Sequence, residues 1–105
     1  MATLTEQEFS QHVNTNFRVK LDTPRPIDLK LVEVKGYVKK GEEESGMERF
    51  SVFFAGPADV LLQQNLYSLA HDVMGEMEIF LVPIGKNADG FRYEAVFNYF
   101  REKAD

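Results

Sequence analysis

Cysteine and tryptophan are absent from this chain of 105 residues, and histidine occurs only twice. Without cysteine there is no disulfide and no thiolate metal site, which suits a reducing, cytoplasmic setting. The two histidines, His12 and His71, lack the HExxH spacing that would favour zinc. There is no GxSxG elbow for a nucleophilic serine. Neither GxxxxGK nor GxGxxG occurs, so the glycine-bearing loops do not read as phosphate cradles, and no cofactor is expected. Long apolar runs are missing too. The longest, Ile79 to Ile84, falls far short of the roughly 20 residues a membrane span needs. The start, MATLTEQEF, has neither a basic patch nor an apolar stretch, so no secretion signal is expected. Basic clusters are also lacking: 12 Lys and Arg face 17 Asp and Glu, for a net charge of −5 and a pI near 5.0. Such a chain repels phosphate backbones and anionic bilayers, which argues against nucleic acid and membrane as partners.

What is present is an ordinary globular balance, 44% hydrophobic and 28% charged, enough for one domain over 1–105 with a single core. A short helix is expected over about 5–13. Thr5-Glu6-Gln7-Glu8 fits a capping box, Leu4 and Phe9 fit a hydrophobic staple, and Phe9 and Val13 share one face. The rest reads as strands, at about 17–21, 27–38, 49–54, 65–70, 76–84 and 91–100. In the second, the apolar phase flips from Ile27, Leu29 and Leu31 to Val32, Val34 and Val38, which predicts a β-bulge near Leu31–Val32. The two prolines of "TPRP" stop the first strand. In "AGPADVLLQQN", Pro57 could open a single helical turn, with Leu61 or Leu62 packing inward. Strands in series with short connections predict a mainly β, antiparallel fold: a small barrel or a sandwich of about six strands with one short N-terminal α-helix.

Candidate sites are few. "GKNADG" at 85–90 fails as a calcium loop because the first and last ligand positions would be Gly85 and Val96; it reads as a hairpin loop. His71 sits beside Asp72, but neighbours on an extended chain point to opposite faces, so a turn histidine bonded locally is expected over a catalytic dyad. Phe91, Tyr93, Ala95, Phe97 and Tyr99 share one face of the last strand and match Met77, Ile79 and Leu81 on the preceding one, a core hairpin. Phe80, Val82, Val96 and Phe100 lie on the other faces, so both sides of the hairpin are partly apolar; either the helix covers the second side or another chain does. Glu94 on that side invites a cross-strand basic partner. Glu42, Glu43 and Glu44 form an acidic loop tip. Tyr67, His71, Glu94 and Asn98 could share a polar network if their strands are neighbours.

The stretch "RFSVFFAGPADVLLQQNLYSLAHDVMGEMEIFLVPIGKNADGFRYEAVFN", residues 49–98, resembles a bacterial family of small domains of unknown function. Gly56-Pro57-Ala58-Asp59, Leu62, Gln64, Tyr67, Leu69 and His71 carry the first part of the pattern. Phe80 to Gly85 carry the second, and Gly90 with Tyr93 to Asn98 the third; Met74 stands where the pattern prefers Leu. The resemblance implies no assigned chemistry and an association with phage-tail-like or tail-collar proteins. Three functions are weighed. The first is a non-enzymatic interaction or assembly module whose partner is another protein or a second copy, with Phe80, Val96 and Phe100 as apolar contacts and Glu42, Glu43 and Glu44 as an electrostatic rim. The second is a β-barrel binding a small molecule inside. The third is an enzyme using His71, Asp72 and Glu94 as acid–base groups.

Overall fold

The structure, a computed structural model, describes residues 5–21, 26–36, 47–88 and 90–100, without the side chains of residues 47, 48 and 98–100. Helix α1 (Glu6–Ser10) is followed by strands β1 (Asn16–Val19), β2 (Ile27–Gly36), β3 (Met47–Ala55), β4 (Asn65–His71), β5 (Gly75–Asn87) and β6 (Gly90–Phe100). All pairings are antiparallel, and the strand order β1-β2-β3-β6-β5-β4 returns to β1, so one sheet closes in a ring rather than forming two stacked sheets. Closure follows from the aromatic and branched residues that alternate along each strand: their inner faces bury one shared core, and a ring leaves few exposed edges.

The predicted bulge is present, as the β2–β3 register shifts between Leu31 and Glu33. It keeps Leu31 facing inward and then turns Val34 toward Val52, so Val34 packs on the same interior, while Val38 lies outside the described residues. A second shift, between Pro83 and Gly85, lies in the β5–β6 ladder. Here the structure differs from the sequence expectation. β5 continues through Gly85 and Lys86 to Asn87, which pairs with Gly90, so most of the predicted 85–90 loop is strand. β5 also changes partner along its length. Gly75 to Leu81 pair with β4, and Val82 to Asn87 pair with β6.

Helix α1 is shorter than the expected 5–13. Thr5 caps it, its hydroxyl accepting from the Glu8 amide at 3.0 Å. The chain then leaves the helix near Gln11 and turns back at Asn14, which adopts a left-handed φ of 73°. The expected staple involving Leu4 lies outside the described residues. Phe9 is fully buried and closes one end of the ring, its ring centroid 6.2, 6.0 and 5.5 Å from those of Phe17, Phe50 and Phe97. At the opposite end, the segment 56–64 folds over the opening without a helical turn. Leu62 is the inward leucine and Leu61 is exposed. The Leu62 amide donates to Tyr93 Oη at 2.9 Å, and the Gly56 amide donates to the Phe91 carbonyl at 2.8 Å. Between the two covers the interior is filled by fully buried side chains, Phe17, Leu29, Phe50, Phe54, Ile79 and Tyr93 among them.

Candidate functional site

The outer surface of β4 and β5 departs from the polar exterior that an antiparallel sheet usually shows. Even-numbered residues of both strands face outward, and the register sets Leu66 directly opposite Phe80. Leu66 is 54% exposed and Phe80 48%. On β6, Val96 also faces outward, at 63% exposure. Phe80 and Val96 each lie two residues beyond the Val82–Glu94 pair with which the β5–β6 ladder ends. Ile84, half-exposed, adds apolar surface further along β5. The helix does not cover this side; α1 packs on β2 and β3.

The same outward face carries charge. Glu76 and Glu78 precede Phe80 at alternate positions of β5. Lys20 Nζ holds Glu76 at 2.9 Å. Glu94 faces outward on β6, where its carboxylate accepts from the Ser51 hydroxyl at 2.8 Å. That bond satisfies the hydroxyl of Ser51, which is fully buried although it lies on the outer face of β3.

His71 occupies a different place. It ends β4 with its side chain turned inward, 8% exposed, at the end of the ring that α1 covers. Its Nδ1 accepts from the amides of Val73 and Met74 at 3.0 and 3.1 Å, so it closes the β4–β5 turn, as a locally bonded turn histidine should. Two amide donors on Nδ1 leave the ring proton on Nε2. That nitrogen lies 2.9 Å from Thr15 Oγ1, and the Thr15 hydroxyl donates in turn to the His12 carbonyl. The His12 ring lies 4.7 Å from the His71 ring and the Phe17 ring 4.4 Å from it. Burial, and then the charge of His12, lower the pKa of His71 from its ordinary 6.5, against a smaller opposing effect of Asp72. At neutral pH the ring is a neutral fastener with both nitrogens engaged.

The four residues considered as one polar network have separate partners. Tyr67 and His71 belong to the inner face of β4 and Glu94 to the outer face of β6. Tyr67 donates to the Gln63 carbonyl at 2.6 Å, His71 engages Thr15 and its own turn, and Glu94 takes Ser51. The Asn98 side chain is outside the described residues, as are Phe100 beyond its backbone and the acidic tip Glu42, Glu43 and Glu44. Two contacts were not readable in the sequence: Thr15 with His71 spans 56 positions, and Leu62 with Tyr93 spans 31. Among the described residues no cluster of three His, Asp or Glu side chains forms that could hold a metal, and no helix is long and apolar enough to cross a membrane.

Fold and surface together define a small, mainly β domain: a six-stranded ring with a filled interior and an apolar patch on its exterior. The chain belongs to the family described as a domain of unknown function, DUF6916, whose model matches residues 4–97. Comparisons with curated proteins and with solved structures find no match.

Proposed function

We propose that this domain is a non-enzymatic interaction module that docks a segment of another protein on the outer face of β4, β5 and β6, as an accessory of a bacterial assembly. The observation that carries it is the exposed Leu66–Phe80 cross-strand pair with Val96 on β6. Such a pair is not needed by the core, which is complete without it. An aromatic residue opposite a branched one is the kind of anchor that supplies binding energy at an interface. The partner segment is apolar at its centre and basic at its margin, matching Glu78 and Glu94 beside the patch and the net charge of −5. A second copy would bring the same negative charge against this one. The likeness of residues 49–98 to domains that accompany phage-tail-like proteins makes a structural protein of such an assembly the first partner to test. The filled interior and the engaged nitrogens of His71 give less support to a small ligand inside the ring or to acid–base chemistry at that residue.

The test is recovery of the partner with tagged protein from its host, followed by titration of the purified partner. Phe80→Ser and Leu66→Ser should each weaken binding roughly 30-fold, the scale of a hot-spot residue, with unchanged circular dichroism and melting. Wild-type affinity in both variants would refute the docking face. Concentration-dependent self-association abolished by the same changes would assign the face to a second copy.

A further inference from the structure

His71 fastens two pieces of backbone that meet only at one end of the ring. One is the β4–β5 turn, residues 72–74, whose Val73 and Met74 amides both end on Nδ1. The other is the α1–β1 connection, residues 11–15, reached through Thr15 Oγ1 from Nε2. Both pieces cover the aromatic end of the core. Met74 is buried beneath the turn, and Phe9, which leads into the connection, rests on Phe17, Phe50 and Phe97.

We propose that His71 is an acid-released latch: a proton taken up at Nδ1 unfastens the β4–β5 turn from the α1–β1 connection and loosens the cover over the aromatic end of the ring. The chemistry is one of mutual exclusion. Nδ1 cannot both carry a proton and accept from two amides. A protonated ring must therefore release Val73 and Met74 or leave its place. If it stayed, the new Nδ1 proton would face the Val73 and Met74 amide protons at 3.0 and 3.1 Å, donor against donor, with no acceptor gained in exchange. The charged groups around it act in opposite senses. On the helical side, His12 adds a like charge when protonated, and the Glu8 carboxylate lies 4.0 Å from His12 Nε2. From the turn, Asp72 favours a proton on His71. Arg18 of β1 and Asp28 of β2, paired at 3.6 Å, line the same surface depression as His71 and Asp72 and offset each other. The ring itself does not depend on the latch, since the Leu62–Tyr93 bond and the segment 56–64 hold its other end. Acidification thus opens one end of the molecule and leaves the strands paired.

The experiment is an NMR titration of the intact chain, with imidazole nitrogen shifts and amide exchange followed together. The neutral His71 should carry its proton on Nε2. Exchange protection at Val73 and Met74 should fall at least tenfold with the same midpoint as His71, while the Leu62 amide keeps its protection. His12→Gln should raise that midpoint and Asp72→Asn should lower it, shifts that a merely structural histidine would not link to the turn amides. A proton on Nδ1 at neutral pH would overturn the proposal. So would turn amides that stay protected after His71 has titrated, or loss of the Leu62 amide in the same step, which would make the transition global unfolding.

Discussion

At the scale of single residues, two glycines with positive φ show how local geometry separates cheap from costly positions. Gly75 opens β5 at φ 84° with nothing within 4 Å of where a side chain would begin. Gly75→Ala should therefore cost only the left-handed backbone penalty, about 1–2 kcal/mol. Gly90, at φ 133°, faces the carbonyl oxygen of Gly56, and a Cβ would run into it. Since Gly56 also donates to Phe91, the neighbour is pinned. Gly90→Ala should cost about 3–5 kcal/mol, as strain and overpacking add, and urea unfolding of the two variants would rank them. Tyr93 is fully buried, its phenol held above the ordinary 10 by burial, and its oxygen is the acceptor for the Leu62 amide. Tyr93→Phe keeps the packing and orphans that amide, so a loss of about 1–3 kcal/mol with an unchanged m-value is expected. His71 sets a pH dependence whose sign follows from its lowered pKa. The unfolded chain takes up the proton first, so the contribution is complete above the ordinary pKa of 6.5 and declines as pH falls below it toward the folded value. Urea midpoints at pH 7.5 and 5.0 should differ in the wild type and converge in His71→Gln.

Elements, in turn, owe their existence to what they touch. A helix of five residues has no stability of its own. It is held by Phe9, and Phe9→Ala should cost about 3–5 kcal/mol and abolish amide protection in α1 before the strands open. The helix start was legible because Thr5 and Glu8 mark a cap. Its end was not, because the turn at Asn14 answers to Leu31, whose carbonyl accepts the Asn14 amide across 17 positions. The bulge in β2 was legible as a change of phase in the apolar pattern. The long reach of β5 was not, because Gly85, Lys86 and Asn87 resemble a loop by composition and become strand only against Arg92, Phe91 and Gly90. Of the candidate site, the outward placement of Phe80 and Val96 followed from alternation alone. Leu66 escaped notice because its importance lies in the residue opposite it, which only the register supplies. Alternation reveals faces; it does not reveal which strands are neighbours.

For the molecule as a whole, the ring closes where β1 meets β4, through two register pairs and the Lys20–Ser68 bond, against nine pairs between β3 and β6. That seam should be the first part of the sheet to exchange, with the Lys20 amide faster than those shared by β3 and β6. Long-range pairings dominate, so folding on the millisecond-to-second scale is expected. The far half of β5 has its own protection against stray strands. Pro83 lacks a donor, the register shift follows it, and Lys86 places a charge there. The exposed patch is thus offered by side chains, while the nearby backbone is guarded.

The change of partner along β5 makes that strand the ruler of the ring. Its first seven residues measure out β4 and its last six measure out β6, with no overlap to absorb an error. Adding one residue before Val82 would turn Phe80 inward and Leu81 outward, or else slide every pair on the β6 side. Lengthening the 56–64 connection disturbs neither measurement. In a library of single-codon insertions, β5 should therefore read as a thirteen-residue gap in which no soluble clone survives, while the exposed turn at residues 58–59 of the 56–64 connection accepts extra length.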